Sequence, residues 1–208
     1  MKRFFFLALL TFATSLPASI RSDAAEIEVF FSPNGGAAHA AATAIGTAKK
    51  TIRLEAYSID ETEITAALID AHAKGIDIQI VIDQGQTSQN YSTAGKLKKA
   101  GIRTVVDRKH QLHHNKVIII DDALVVTGSM NFTHSGNAKN AENMLIIHDA
   151  AIAARYTADF QLHYDHSDPF ILKPKLQQLP PARPPSLSLP LHQRPQQEPL
   201  QWHAFQVR

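Results

Sequence analysis

The chain has 208 residues, no cysteine, 21 Lys and Arg against 19 Asp and Glu, and 44% hydrophobic residues. This length suits one domain of ordinary size with an appendage. The lack of cysteine excludes a disulfide scaffold, a thiolate zinc site and a cysteine nucleophile. A formal charge of +2 excludes a general polycation, so any affinity for nucleic acid requires a local basic patch.

The N-terminal segment 1–24 is predicted to be a secretory signal peptide. Lys2 and Arg3 supply a positively charged start, the apolar run that follows is too short to span a bilayer comfortably, and Ala24 is a suitable small residue for cleavage. An uncleaved membrane anchor is the alternative, because charged residues crowd the cleavage region. We therefore expect an exported protein, periplasmic or secreted, with no stable membrane insertion after cleavage.

Residues 25–168 are predicted to form one domain of the α/β class. Short segments rich in β-branched residues alternate there with longer, alanine-rich segments, which is the pattern of strands alternating with helices. The predicted strands are 27–31, 51–57, 76–82, 102–106, 117–120, 124–127 and 144–147, and the predicted helices are 37–50, 61–74, 88–100 and 150–166. This alternation predicts a mostly parallel, mixed central sheet flanked by helices, with 117–120 and 124–127 entering as a hairpin-like pair.

The C-terminal segment 169–208 is predicted to be a proline-rich tail without regular structure. It contains nine of the eleven prolines and no glycine, and proline disrupts both helices and central strands. Extended or disordered chain is therefore expected. Such a tail is either inert or a ligand for the aromatic groove of a partner.

The segment 113–143 contains side chains suited to phosphate chemistry. Successive side chains of a strand point to opposite faces, so His114 and Lys116 are predicted to share a face. After a second strand, Gly128 permits a close backbone approach, and Ser129 and Asn131 again fall on one face. An imidazole, an ammonium, a hydroxyl and an amide would thus converge at the edge of the sheet. Together they offer a nucleophile or base, a fixed cation and neutral hydrogen-bond donors.

These positions carry a resemblance to a known family. The run His114-x-Lys116-x(4)-Asp121-x(6)-Gly128-Ser129-x-Asn131 resembles the HKD motif of the phospholipase D superfamily at every defined position. The chain is similar in particular to the small bacterial EDTA-resistant endonucleases of that superfamily, over residues 26–166. This wider similarity includes Phe31-Ser32-Pro33, Ala56-Tyr57-Ser58 and Glu142-Asn143.

The resemblance implies a metal-independent phosphodiesterase that works through a phosphohistidine intermediate and needs no cofactor. His114 would be the nucleophile, and Glu142 would hold the second nitrogen of its ring. Lys116, Asn131 and Ser129 would bind the nonbridging phosphate oxygens. The chain has one HKD motif, whereas the phospholipases and synthases of the superfamily usually have two. The resemblance therefore also implies a homodimer in which both copies of His114 meet at one shared site.

Two motif residues are predicted to be structural rather than catalytic. Strand alternation places Asp121 on the face opposite His114, which indicates a turn residue. Gly128 is predicted to permit a close approach of the backbone. No metal site is predicted. His110 and His113 invite a zinc interpretation, but no matching carboxylate or cysteine spacing accompanies them.

The predicted activity is that of a sequence-nonspecific endonuclease that cleaves DNA, with RNA as a second candidate substrate. The candidate backbone contacts form a local basic cluster before the motif: Lys96, Lys98, Lys99, Arg103, Arg108 and Lys109. The lysines of this cluster are equally consistent with the solvated face of a helix. Two other functions stay open: a phospholipase D-type lipid phosphodiesterase, and a noncatalytic nucleic-acid-binding or secretion-associated protein.

Overall fold

The structure, a computed structural model, describes residues 25–87 and 93–172. The predicted signal peptide, the first part (88–92) of the helix predicted at 88–100, and residues 173–208 of the predicted tail lie outside the described residues. Within the described ranges, no helix combines the length and the apolar character needed to cross a bilayer.

Strands and helices follow one another along the chain much as the segment compositions predict. The strands are β1 (Glu26–Ser32), β2 (Thr51–Ala56), β3 (Asp77–Asp83), β4 (Arg103–Asp107), β5 (Lys116–Ile120), β6 (Leu124–Gly128), β7 (Glu142–His148) and β8 (Asp168–Pro169). The helices are α1 (Ala37–Gly46), α2 (Thr62–Ala73), α3 (Thr93–Lys99), α4 (His134–Ala138) and α5 (Ala150–His166), and a 3-10 turn covers Gln84–Thr87. The short elements α4 and β8 are absent from the sequence predictions.

The eight strands form one mixed sheet in the order β1-β7-β6-β5-β2-β3-β4-β8. The α/β class, the mixed sheet and the flanking helices are therefore confirmed. The expectation that the sheet is mostly parallel is wrong, because only β2–β3 and β3–β4 pair in parallel and the five other pairs are antiparallel. Parallel neighbours need a long crossover such as α2, whereas the short turn between β5 and β6 permits only an antiparallel pair.

Each face of the sheet carries its own apolar core, because neighbouring side chains along a strand point to opposite faces. Ile118 and Ile120 of β5 pack with α1 and α2 on one face, and Val117 and Ile119 pack with α5 on the other. The strands β2, β3 and β4 end on the side of the sheet where β5 and β7 begin. We refer to this side as the site end.

Two boundaries differ from the predictions because tertiary contacts decide them. The helix α1 ends at Gly46 rather than at 50, since the N–H groups of Lys49 and Lys50 donate to the carboxylate of Asp121 instead of to helix carbonyls. The sequence predicts a tail from 169, yet Pro169 belongs to β8 beside β4, and Phe170 is buried. Proline is tolerated there because β8 is an edge strand.

Candidate active site

His114 and Lys116 contact each other at the site end, as their spacing predicts. The Nζ atom of Lys116 lies 3.1 Å from Nδ1 of His114 and donates to the backbone carbonyl oxygen of the same residue at 2.6 Å. His114 is exposed, whereas Lys116 is only 8% accessible. An ammonium group is a donor only, so its contact with Nδ1 requires that this nitrogen carries no proton.

The ring of Tyr57 packs against both side chains, a contact that sequence reasoning missed. Its centroid lies 4.6 Å from that of His114 and 5.2 Å from Nζ of Lys116. Burial lowers the pKa of Lys116, and the negative charge of Glu142 acts in the opposite direction. A cation that is partly removed from water attracts a phosphate more strongly than a solvated one. The sequence signal for Tyr57 was its place in the similarity at 56–58.

Glu142 is held by Ser129 on the adjacent strand. Ser129 Oγ donates to Glu142 Oε2 at 2.6 Å and accepts the backbone N–H of Asn143 at 3.1 Å, while Asn140 Nδ2 donates to Glu142 Oε1 at 3.1 Å. Within a single chain, Glu142 does not contact His114: in the described part of the chain, the hydrogen-bond partners of Glu142 are Ser129 and Asn140. The reason is that β6 separates β7 from β5 by about 10 Å, so the carboxylate reaches the nearer hydroxyl.

Gly128 brings the two strands close together, as predicted. A Cβ atom at this position would lie 2.4 Å from the carbonyl oxygen of Asn143, so only glycine leaves room for the approach. Asn131 follows between the buried residues Met130 and Phe132. Its Oδ1 is buried and has no hydrogen-bond partner among the residues that the structure describes. The side chain of Asn131 therefore carries one unsatisfied amide oxygen.

Asp121 has a structural position at the far end of β5. Its φ is 52°, and its carboxylate accepts the backbone N–H groups of Lys49, Lys50 and Thr51 at 2.7 to 2.8 Å. Burial would raise the pKa of Asp121, but these three hydrogen bonds outweigh it and hold the pKa below its usual value. The carboxylate thus ties the loop after α1 to the turn after β5. This agrees with the interpretation of Asp121 as a turn residue.

The predicted basic cluster is divided between the two ends of the sheet. Arg103 begins β4 at the end opposite the site end, and the three lysines of α3 lead into that same end. Arg108 and Lys109 follow β4 at the site end and are exposed. The expected cluster is therefore not continuous, because a strand rises about 3.3 Å per residue and separates its two termini.

Two carboxylates contact the histidines for which the sequence interpretation found no matching carboxylate spacing. Glu55 comes from β2, far away in the sequence, whereas Asp107 ends β4 and precedes His110 and His113 by only three and six residues, so it is a nearby partner that the sequence interpretation missed. We call this group the histidine–carboxylate cluster; its members are Glu55, Asp107, His110, His113, His163 and His166.

The fold is that of phospholipase D-like proteins, a class of phosphodiester hydrolases, as the sequence predicts. The chain belongs to the family described as "Cardiolipin synthase, PLD-like domain", which it matches over residues 42–164.

Three similar proteins illustrate the range of this class. Phospholipase D of Rickettsia bellii is 40% identical over 131 residues, which are 63% of this chain and 65% of that protein. The mitochondrial cardiolipin hydrolase of Xenopus tropicalis is 26% identical over 122 residues, which are 59% of this chain and 58% of that protein. The crystal structure of Nuc, a phospholipase D family member from Salmonella typhimurium, has a TM-score of 0.67 and 31% identity, covering 71% of this chain and 99% of that chain. The chain thus spans less than two thirds of the length of these curated relatives.

Proposed function

We propose that this chain is a sequence-nonspecific endonuclease that hydrolyses the phosphodiesters of DNA. The observation that carries the proposal is the contact between Lys116 and His114 at the site end. A partly buried cation beside a neutral imidazole suits a negatively charged phosphodiester. Because His114 is exposed, a long polymeric substrate can approach it without entering a cavity.

Covalent catalysis divides the displacement at phosphorus into two steps. In the first step, an imidazole nitrogen of His114 forms a bond to phosphorus while the bond to the leaving oxygen breaks. A second, protonated imidazole donates its proton to that oxygen. In the second step, water attacks the phosphorus of the phosphohistidine, the second imidazole accepts the proton of the water, and His114 leaves.

Lys116 has two tasks in this scheme. In the free protein its contact with Nδ1 places the proton of a neutral His114 ring on Nε2. A phosphate that binds the ammonium group competes with this contact, so Nδ1 becomes free to carry the proton and Nε2 becomes free to attack. The same ammonium group offsets the charge of the nonbridging oxygens. Asn131 and Ser129 are the proposed neutral partners of these oxygens; the single hydroxyl proton of Ser129, which is donated to Glu142 in the free protein, would then turn to the phosphate.

The second imidazole is proposed to be the partner's His114, in a homodimer with one shared site. The chain supplies a single HKD motif. Two large apolar side chains are exposed near it: Leu112 is 53% accessible, and Phe31, whose register partner is Asn143, is 58% accessible. A second chain that covered the site end would remove such apolar surface from water, which supports a contact there.

Two observations favour nucleic acid over lipid as the substrate. Arg108 and Lys109 are exposed at the site end, where they can contact phosphates that flank the scissile bond. The similarity to Nuc extends over 99% of that chain. A lipid phosphodiester is the second candidate, because the curated relatives are named phospholipase D and cardiolipin hydrolase.

Parallel assays of one metal-free preparation of the full chain test the proposal. In EDTA, we expect cleavage of supercoiled plasmid DNA and no hydrolysis of vesicles that contain phosphatidylcholine or cardiolipin. His114→Ala should lower the plasmid activity by more than about 1,000-fold. His148→Ala, which alters an exposed histidine at the other end of the sheet, should leave it unchanged.

The other outcomes distinguish the alternatives. Hydrolysis of vesicles without cleavage of plasmid would favour the lipid candidate. Cleavage that requires added Mg²⁺, or that persists in His114→Ala, would reject the proposed mechanism. A wild-type chain that binds DNA but hydrolyses neither substrate would favour the noncatalytic function.

A further inference from the structure

The histidine–carboxylate cluster lies on the face of the sheet that α5 covers, next to the HKD motif but outside it. Three of its side chains converge: Oε1 of Glu55 lies 2.6 Å from Nδ1 of His163 and 3.6 Å from Nε2 of His113. Their ligand atoms all lie within 4.8 Å of one another. The side chains of Glu55 and His113 are 1% and 2% accessible, and that of His163 is 17% accessible. Two imidazoles and one carboxylate are thus held together almost out of contact with water.

The imidazole of His113 is oriented as in a metal-binding histidine, with one ring nitrogen hydrogen-bonded and the other without a partner among the described residues. Its Nε2 is buried without a hydrogen-bond partner among the described residues. Its Nδ1 lies 3.0 Å from Oδ2 of Asp107, and its backbone N–H donates to Asp83 at 2.8 Å. A carboxylate bonded to one ring nitrogen leaves the lone pair on the other, which is how proteins orient metal-binding histidines.

The carboxylate of Glu55 is oriented in a similar way. Asn115 Nδ2 donates to Oε2 at 3.1 Å, which leaves Oε1 directed at the two imidazoles. Burial raises the pKa of Glu55, although the hydrogen bond from His163 acts to lower it. Among the described residues, the ion-pair partners of Glu55 and Asp107 are all histidines. A divalent cation bound to Glu55 would supply a fixed positive charge beside this buried carboxylate.

We propose that Glu55, His113 and His163 bind one divalent transition-metal ion, with water as the fourth ligand. Zn²⁺ takes imidazole nitrogen and carboxylate oxygen at about 2.0–2.2 Å in a tetrahedron, so its ligand atoms lie roughly 3.4 Å apart. Small side-chain shifts reach this geometry, with the hydrogen bond between His163 and Glu55 replaced by the metal. Mg²⁺ and Ca²⁺ prefer oxygen ligands. A surface depression of about 410 Å³ gives access to the cluster; it is lined by residues that include His110, Leu162, His163 and His166.

The site would be structural and separate from hydrolysis. Its ligands join β2, the segment before β5, and α5. His114 and Lys116 follow in the chain but share the alternation of Ile118, which faces α1 and α2. The ion would therefore not contact the reacting phosphate. Because hydrogen bonds already hold the cluster without metal, we expect chelation to lower stability and to spare the phosphodiesterase chemistry.

Calorimetric titration of the metal-free full chain with Zn²⁺ tests the site. We expect one ion per chain with a Kd of about 1 µM or lower. The melting temperature should rise by about 5–10 °C when the zinc concentration is about 100-fold above Kd. Mg²⁺ should cause neither effect. No zinc binding by the wild-type chain, or an equal response to Mg²⁺, would overturn the proposal without recourse to a variant.

Two substitutions identify the ligands. His163→Gln and Glu55→Gln are each expected to weaken zinc binding by at least about 100-fold. His110→Gln is the near control, because His110 Nδ1 contacts Asp107 at 2.7 Å rather than Glu55. His148→Gln is the distant control, since its imidazole pairs with Glu28 at 3.1 Å.

Both controls should bind zinc with wild-type affinity. Wild-type affinity in His163→Gln, or a loss confined to His110→Gln, would mean that the assigned ligands are wrong. Plasmid cleavage is not a readout here, so failure of the metal site and failure of the proposed endonuclease stay distinguishable.

Discussion

His113 and His114 are neighbours in the chain, yet their side chains contact different groups on opposite faces of the sheet. His113 is bonded to Asp107 on the α5 side, whereas His114 is exposed beside Lys116. Consecutive residues of an extended segment point to opposite sides, which makes this division possible. In this dipeptide, the first imidazole therefore anchors the segment before β5 and the second is exposed to solvent.

Lys116→Met is expected to lower activity and to raise stability. The variant lacks the cation proposed to neutralise the nonbridging oxygens, so kcat should fall about 100- to 1,000-fold. Burial lowers the pKa of Lys116, which means that the folded state disfavours its charge. An apolar side chain of similar length should therefore raise the free energy of unfolding by about 0.5–2 kcal/mol at pH 7. Plasmid cleavage and urea unfolding measure the two effects.

The gain in stability should depend on pH with a definite sign. A lysine whose pKa is lowered on folding destabilises the folded state while it is charged, and this cost disappears as the pH rises from the folded pKa to the unfolded value of about 10.4. The advantage of Lys116→Met should be larger at pH 7 than near pH 10. Lys74→Met, at an exposed lysine, is the control and should change stability by less than about 0.5 kcal/mol. A Lys116→Met protein less stable than wild type at both pH values would contradict this expectation.

Ser129→Ala tests the hydroxyl that holds the carboxylate of Glu142. The variant would leave Oε2 of Glu142 without this donor and would remove a proposed partner of the phosphate oxygens, so kcat should fall roughly tenfold to a hundredfold. The melting temperature should not change, because Ser129 is exposed. Ser135→Ala, at an exposed serine on α4, is the matched control. A kcat close to the wild-type value would mean that Glu142 does not need this hydroxyl.

Asp121→Asn should destabilise the fold without a direct effect on chemistry. Asparagine tolerates the positive φ of this position, but its NH₂ group would face the backbone N–H of Lys49 or Lys50 in place of an acceptor. We expect a loss of about 1–3 kcal/mol at pH 7. Thermal and urea unfolding measure this loss. Asp122→Asn is the control, because Asp122 is exposed and accepts one bond, from Thr157 Oγ1.

The effect of Asp121→Asn should diminish in acid. The folded state lowers the pKa of Asp121, so its contribution is full above the unfolded value of about 3.9 and is lost as the pH falls through the folded pKa. Wild type and Asp121→Asn should therefore converge in stability below pH 4. A difference that is constant from pH 7 to the acid limit would mean that the carboxylate charge is not the cause.

Subunit mixing tests the shared site. If both copies of His114 act at one site, equal amounts of wild-type and His114→Ala chains that exchange freely should retain about one quarter of the activity of the same total amount of wild type. Independent sites would retain about one half. Analytical ultracentrifugation should find a dimer at the assay concentration, and a fully active monomer would contradict the shared site.

Local rules were sufficient for the motif and for several elements. The helix α5 spans the predicted range 150–166, and Asp149 caps it by accepting the N–H of Ile152 at 2.9 Å. The contact between His114 and Lys116 follows from the two-residue period of extended chain. Such features depend on residues near one another in the sequence, which is why they could be predicted.

By itself, then, the sequence determined the periods of the elements and the spacing of the HKD motif, whereas only the tertiary structure decided which distant side chains meet. Glu55 of β2 and His163 of α5 reach His113 from distant parts of the sequence, and no spacing rule connects them. Arg103 and Arg108 are close in sequence but lie at opposite ends of β4. The strand order and these long-range contacts are set by how the apolar faces of the elements pack together. The free energy of this packing depends on residues far apart in the sequence, so no short segment can predict it.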